Sequence, residues 1–306
     1  MPDRNAEGRP TVSVVVPTHF RNDRLHEALE SVEAQTLAPE EVEVVVVDDS
    51  GERHAEPVAE EFDVPYVGFE ENRGANVART VGTEETTGRY IQFLDDDDVL
   101  KPEKLERQVD LLDRSPDVGV VYCGMEFEDG RLASPNPDVR GNVLDHALAF
   151  TLYPCQTTTM LTERSLVESI CPMQDSPGAD DLRWMVEFAR RTEFDFVEEP
   201  LVDRGVIEDS RGKSMGVYHG RRKIIEEYDD LYAERAPTVR AKALASTHHF
   251  RAWKLLEDST WSAGAIASYG RAAAHDPSAY SAGLLVASVL GRPGVEFGSR
   301  AYERIA

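Results

Sequence analysis

Carboxylates stand at three places in this 306-residue chain where they could do chemistry. Asp95-Asp96-Asp97-Asp98 closes an apolar run, Tyr90 to Leu94, and precedes Val99-Leu100-Lys101-Pro102, where a helix can begin. Asp48-Asp49 ends a second apolar run, Val42 to Val47, and Asp180-Asp181 opens a stretch whose apolar residues recur at helical spacing. Four carboxylates at one strand end repel one another, and a hard divalent cation with oxygen ligands is the usual way to offset that repulsion. The run therefore reads as a site for a cation and a diphosphate, with a solvated acidic loop as the alternative.

The surrounding elements must bring these groups together. Thr11 to Pro17, with its continuous valines, reads as a buried strand of a parallel sheet. Helix is expected over Arg24 to Gln35, strand over Val42 to Val47 and Pro65 to Phe69, and helix over Gly74 to Thr86. Strand Tyr90 to Leu94, helix Pro102 to Arg114 and strand Val118 to Phe127 continue the alternation. Helix from Asp180 or Asp181 to Arg191 and an extended Phe194 to Ile207 complete it. Strands alternating with helices imply a largely parallel sheet, and such sheets bind ligands beyond the carboxyl ends of their strands. Both Asp48-Asp49 and Asp95 to Asp98 lie at such ends. Glu208 to Gly216 is polar and glycine-flanked and reads as a mobile lid. After Val217 the pattern is helical throughout, with Asp258-Ser259 and His275-Asp276-Pro277 as punctuation. The stretch from Tyr269 to Pro277 resembles the end of a tetratricopeptide-type helix.

Four motifs occur in a telling order: Val-Ser-Val-Val-Val-Pro-Thr (12–18), Val-Val-Asp-Asp-Ser (46–50), Asn-Arg-Gly-Ala-Asn-Val-Ala-Arg (72–79) and Phe-Leu-Asp-Asp-Asp-Asp (93–98). Together they resemble the family 2 glycosyltransferases of GT-A fold, over about residues 11–205. The resemblance implies an α/β fold: a Rossmann-like, mostly parallel sheet flanked by helices in a transferase domain over 1–216, with an all-helical appendage over 217–306. It implies an inverting transfer from a nucleotide-diphospho-sugar to a hydroxyl acceptor, assisted by Mg²⁺ or Mn²⁺. Pro17 and Thr18 would line the nucleotide pocket, and Asp49 would accept a hydrogen bond from a ring N–H such as that of uracil or guanine. Arg79 would close the nucleotide side. Asp97 would hold the metal, with Asp95 and Asp96 turned towards ribose or metal. Asp181 aligns with the general base, Asp180 being the runner-up.

Each residue also has a structural alternative. Asp49 could cap a helix, Arg79 could be a surface arginine, and Asp180 and Asp181 could complement a helix dipole. The chain departs from the family pattern at His19-Phe20, where an aromatic followed by asparagine is usual, and at Val206-Ile207, where a metal- or diphosphate-binding histidine is often found. No loop histidine is therefore expected as a ligand, and His219 reads as a surface residue.

Composition sets the remaining bounds. With 33 basic and 57 acidic residues, a formal charge of -24, the chain is a poor match for nucleic acid or an anionic membrane. Six of the 33 basic residues are lysine and 27 are arginine, which resembles a salt-adapted, haloarchaeal proteome. The three cysteines lack zinc-ligand spacing and read as reduced and packed. The start, Met1 to Pro10, is polar, and no apolar run approaches the roughly 20 residues needed to span a bilayer, so a cytoplasmic protein is expected, with peripheral association at the inner membrane face left open. Surface glycan, glycoprotein or exopolysaccharide assembly, with a glycan or lipid-linked acceptor, is the expected context. A catalytically degenerate interaction module is the competing reading. A nicotinamide oxidoreductase would need Gly-x-Gly-x-x-Gly after the first strand, which instead continues Pro17-Thr18-His19-Phe20.

Overall fold

The computed structural model describes residues 9–205, 212 and 214–303. Among these the chain divides into two compact units. One takes in the chain up to Val143, Leu152–Asp175 and the chain from Trp184 to residue 205; the other takes in Leu144–Thr151, Ser176–Arg183 and the chain beyond residue 205.

The first unit is built on one sheet. Its strands are β1 Val12–Thr18, β2 Val42–Asp48, β3 Tyr66–Gly68, β4 Tyr90–Phe93, β5 Val99–Leu100, β6 Val118–Phe127, β7 Leu132–Ala133, β8 Leu161–Glu163 and β9 Glu193–Arg204. They lie in the order β3-β2-β1-β4-β8-β6-β9-β5, with β7 on β6. The β1–β2, β2–β3, β1–β4 and β6–β9 pairs are parallel, and β8 is antiparallel to both β4 and β6. Val12, Val14, Val15 and Val16 are all fully buried, so both faces of β1 are covered, as its unbroken valines require. The helix Asn22–Glu33 buries Leu25, Ala28, Leu29 and Val32 along one stripe. On the helix Ala75–Glu84, Gly82 meets Val15 so closely that an added Cβ would lie 2.3 Å from Val15 Cγ1; only glycine lets that helix lie so close to β1.

Two short elements differ from the sequence expectation. The sequence reads Val99–Leu100 as the approach to a helix, yet it forms β5, with Val99 opposite Asp203 and Leu100 opposite Val202. The helix begins later, at Lys104–Arg114. Leu161–Glu163 forms β8 inside a stretch without clear periodicity. Strands of two or three residues are fixed by partners distant in sequence, which local periodicity does not register.

The second unit is helical: Gly216–Glu227, Asp229–Ala233, Pro237–Glu257, Ala263–His275, Ala279–Ser288 and Gly291–Glu303, joined by the short Leu144–Leu148. The helices that follow Asp258-Ser259 and His275-Asp276-Pro277 start on serine caps. Ser262 Oγ accepts from the Ala265 N–H, and Ser278 Oγ from the Ser281 N–H. Ala252, Leu256, Ala265, Tyr269, Leu284 and Val295 form a local core. Among the described residues no helix is long and apolar enough to cross a membrane.

Candidate functional site

The carboxyl ends of β1, β2 and β4 carry the polar cluster of the first unit. At the end of β1, Pro17 and Thr18 are buried, and Thr18 Oγ1 donates to Asp96 Oδ2 at 2.8 Å. His19 and Phe20 follow with exposed side chains. The Asp48-Asp49 pair at the end of β2 divides its work. Asp48 accepts from the N–H groups of Ser50 and Ala55 and from the Tyr66 hydroxyl. Burial alone would raise its pKa, but these donors hold it below the ordinary carboxylate value. Asp49 reaches across to a different loop: one carboxylate oxygen accepts from the Arg73 N–H at 2.5 Å, the other from the Gly74 N–H at 2.8 Å. Gly74 has φ 89°, a conformation suited to glycine, and stands immediately before the helix Ala75–Glu84. Asp49 thus braces the entry to a helix 25 residues away in sequence. Each of its oxygens keeps a second lone pair for another donor.

The four aspartates after β4 have distinct surroundings. Asp95 pairs with Arg79 Nη2 at 2.6 Å and lies 3.9 Å from Arg204 Nη1. Burial opposes its ionisation, yet the two arginines hold its pKa low. Asp96 accepts from Arg21 Nη1 at 2.8 Å as well as from Thr18, while burial pushes its pKa up. Asp98 is fully buried and accepts from Arg204 Nη1 at 2.8 Å and the Gly205 N–H at 3.1 Å. Burial also raises its pKa, against the pull of Arg204. Asp97 is different. Arg21 Nη1 stands 3.8 Å from it, and burial together with the neighbouring Asp95 and Asp96 charges pushes its pKa up to about 6.

Mutual repulsion in the run is therefore met in large part by Arg21, Arg79 and Arg204, partners that the sequence reading did not include beside the expected cation. The distances in sequence, 75, 16 and 106 residues, explain why the sequence did not reveal these partners. Asp97 retains unmet negative charge and is the member whose environment would be relieved by an added cation. Among the described residues no group of three or more His, Cys, Asp or Glu side chains is arranged to hold a metal by itself. A cation at Asp97 would take its remaining oxygen ligands from a bound diphosphate and water, which suits a hard ion that keeps several non-protein ligands. Packing beside Asp97 is tight: a Cβ on Gly205 would lie 1.8 Å from the Asp97 carbonyl oxygen.

Arg79 is 7% exposed, so the surface-arginine alternative fails. Its guanidinium lies 5.3 Å from the centre of the Trp184 ring while pairing with Asp95. Asn76, one turn earlier, donates to Asp175 Oδ1 at 2.9 Å. The loop containing Thr158 is fastened from below. The buried Gln92 side chain donates to the Thr158 carbonyl at 2.9 Å, and Thr158 Oγ1 accepts from the Asp95 N–H at 3.3 Å.

Asp180 and Asp181 open the helix Asp180–Ala189 and belong, with the rest of Ser176–Arg183, to the second unit. Asp180 Oδ1 accepts from the Ser176 N–H at 2.6 Å, closing the turn that contains Gly178 at φ 67°. Asp181 Oδ1 accepts instead from the Leu182 N–H at 2.8 Å. Within this unit burial lowers the pKa of the Arg221 guanidinium, and the Asp181 charge offsets part of that. His219 is exposed, and all three cysteines are free, Cys123 and Cys155 being buried. Residues 208–211 and 213 of the expected lid lie outside the described residues.

Known proteins resemble the chain both in sequence and in fold. An uncharacterized glycosyltransferase of Rickettsia prowazekii is 27% identical over 252 residues, covering 79% of this chain and 77% of that protein. The glucosyl-dolichyl phosphate glucuronosyltransferase of Haloferax volcanii is 38% identical over 116 residues, 36% of each chain. Among solved structures, S. aureus TarS 1–349 in complex with UDP-GlcNAc has TM-score 0.62 at 18% identity, covering 96% of this chain and 92% of its own. The Pyrobaculum calidifontis mannosyltransferase PcManGT in complex with GDP-Man and Mn²⁺ has TM-score 0.61 at 21% identity, covering 95% and 84%. Both share the fold, a parallel-dominated sheet flanked by helices. The profile of Glycosyl transferase family 2 matches residues 13–170, more than half of the chain, and the chain belongs to that family.

Proposed function

We propose that this glycosyltransferase is an inverting, metal-dependent enzyme that moves a sugar from a nucleotide-diphospho-sugar to a hydroxyl acceptor. The carrying observation is Asp97, a largely buried carboxylate in a run whose other three members accept hydrogen bonds from arginine, with its pKa pushed up to about 6. Mg²⁺ or Mn²⁺, when bound, neutralises charge on the leaving diphosphate. The neighbour that carries GDP-Man and Mn²⁺ supports this choice.

In this reading Pro17, Thr18 and Asp49 border the nucleoside, with Asp49 accepting from the base through the lone pairs that Arg73 and Gly74 leave unused. Arg79 orients Asp95, and Arg21 orients Asp96, so that both carboxylates present fixed acceptors to ribose or metal. Asp181 is the base. The acceptor hydroxyl gives its proton to the Asp181 carboxylate as its oxygen bonds to the anomeric carbon, and the bond from that carbon to the diphosphate oxygen breaks with its electron pair leaving on the diphosphate. Attack from the face opposite the leaving group inverts the anomeric centre.

The transferase domain is assigned to 1–216 and the helical region to 217–306. A haloarchaeal origin is supported by the arginine-over-lysine, acid-rich composition, and with family membership such a source suits surface glycan, glycoprotein or exopolysaccharide assembly. The Haloferax relative points the same way. The test is thermal stabilisation by UDP and by GDP, each with and without Mn²⁺. Wild type should gain Tm with one of them only when Mn²⁺ is present, and Asp97→Asn should lose that gain while its apo Tm stays close to wild type. Mn²⁺-dependent stabilisation retained in Asp97→Asn would remove Asp97 from the metal site.

A further inference from the structure

The turn that carries Asp181 is packed, within the second unit, against the helix Gly216–Glu227. At the start of that helix, a Cβ on Gly216 would lie 3.4 Å from the Pro177 carbonyl oxygen. One turn later the approach is closer: a Cβ on Gly220 would come 2.6 Å from the same oxygen and 2.9 Å from the Ala179 Cβ. At the last turn Glu227 receives both terminal nitrogens of Arg183, the bond from Nη2 being 2.6 Å. Arg183 is itself buried, with its guanidinium 5.8 Å from the centre of the Tyr228 ring. Positions 216, 220 and 227 share one face of a helix, so a single element holds Ser176–Arg183 at both ends. Glycine weakens a helix interior. At Gly220 it is required, because any side chain would meet the Pro177 carbonyl and Ala179.

Arg221 comes next. Its Nη1 donates to Ser246 Oγ at 3.0 Å and to the Ser246 carbonyl at 3.3 Å. Its guanidinium lies 5.6 Å from the centre of the Phe150 ring and 5.5 Å from that of Phe250. Its Nε is shut off from solvent without a hydrogen-bond partner among the described residues. Burial opposes this cation and the charge of Asp181 favours it. Attraction between two charges is mutual, so Arg221 favours the Asp181 carboxylate in turn. An apolar side chain of similar size is often as good for stability as a buried charge pair, or better. The arginine is therefore better accounted for by its action on Asp181 than by stability.

We propose that the helix Gly216–Glu227 positions the base: Gly220 sets how closely the turn carrying Asp181 is held, and Arg221 supplies the fixed positive charge against which its carboxylate is oriented. The inference rests on the reading of Asp181 as base and gives the helical unit a part in the reaction. Both are positioning residues, acting through Asp181 on the proton it takes from the acceptor hydroxyl. A displacement of about 1 Å at a reacting group can cost roughly 10²-fold in rate, which is the scale on which a misplaced turn would act.

Three variants separate this role from a structural one. Turnover would be followed as Mn²⁺-dependent cleavage of UDP- and GDP-sugars with water as the acceptor, beside calorimetric affinity for UDP and GDP and a melting curve. Gly220→Ala and Arg221→Met should each lower turnover roughly 10- to 100-fold, with nucleotide affinity unchanged. Arg221→Met should melt at or above the wild-type temperature. Arg221→Lys, which keeps the charge, should recover part of the lost turnover. Wild-type turnover in Gly220→Ala or Arg221→Met, beside an inactive Asp181→Asn, would overturn the positioning role and leave the base where it is. Turnover lost in Arg221→Met together with a lower Tm, and not recovered in Arg221→Lys, would assign the arginine to structure and overturn the role as well. If Asp181→Asn is fully active, or wild type cleaves no donor, the base reading fails and this inference with it.

Discussion

Among the acidic residues, neighbouring aspartates differ in the groups their carboxylates meet. Asp48 is committed to the turn after β2, Asp98 to Arg204 and Gly205, and Asp180 to the Ser176 N–H. Asp97 and Asp181 are the members of their runs that carry the chemical proposal. For Asp181 the competing account is helix-end electrostatics, worth about 0.3–1 kcal/mol, whereas a positioned base contributes roughly 10²–10⁴-fold to a rate. Asp181→Asn should therefore lower Mn²⁺-dependent cleavage of the accepted UDP- or GDP-sugar, with water as the acceptor, by about two to four orders of magnitude. Its Tm and its affinity for the nucleoside diphosphate should stay near wild type. Asp180→Asn should instead act mainly on stability, because the Ser176 turn loses a charged acceptor. Near-normal turnover by Asp181→Asn, or inactivity confined to Asp180→Asn, would move the base by one position.

Among the elements, the valine strands, the helix stripes and the breaks between the C-terminal helices were legible because each is written in neighbouring residues. Val12 to Val16 announce a doubly covered strand, and Asp258-Ser259 and His275-Asp276-Pro277 mark where helices break. The short strands β5 and β8 and the arginine partners of the aspartates were not legible, since they depend on residues up to 106 positions apart. The least legible element is a polar one inside the core. Lys104, on the helix Lys104–Arg114, is fully buried, and its Nζ donates to Gln92 and to Gln108 Oε1. Gln108 in turn donates to the carbonyls of Val121 and Thr159, both at 2.9 Å, so one lysine ties β4, β6 and the Thr159 loop together. Burial lowers its pKa to about 8 from an ordinary 10.5. Between those values the unfolded chain holds a proton that the folded chain has released, so stability rises with pH through this window. Below pH 8 the same burial is a cost. Cys123, pushed up by burial from 9 to about 11, acts with the opposite sign above pH 9. The rise is accordingly clearest from pH 8 to 9, where the Lys104 contribution is on the order of 1 kcal/mol. Urea unfolding of wild type and Lys104→Met at pH 7.5, 8, 8.5 and 9 should show that rise in wild type and lose it in the variant; parallel curves would mean that Lys104 does not titrate there.

For the whole molecule, charge is the dominant fact. The fold places many arginines against carboxylates, yet pairs such as Arg53–Glu56, Arg222–Glu226 and Arg131–Asp129 lie at the surface, where a pair is worth about 0–1 kcal/mol and salt weakens it. Against these stands an excess of 24 negative charges whose mutual repulsion works against the compact state. Salt acts on both with opposite signs. Raising the ionic strength from 0.1 to 1 M shortens the screening length from about 10 Å to about 3 Å. That removes most repulsion between separated carboxylates but leaves the buried pairs, Arg79–Asp95 and Arg204–Asp98, largely intact. The excess therefore decides the sign: Tm should rise as KCl increases from 0.1 to 2 M, steeply at first and then levelling as screening saturates. NaCl should give nearly the same curve, because the effect is screening and not a site for either ion. The same logic reaches the ligand. In the proposed reading, a nucleoside diphosphate approaching this chain is repelled at long range and attracted near Arg21, Arg79 and Arg204, so added KCl should speed its association where a basic protein would show slowing. A Tm that falls steadily with KCl would mean that the surface ion pairs outweigh the repulsion, and would remove the physical argument for reading this composition as salt adaptation.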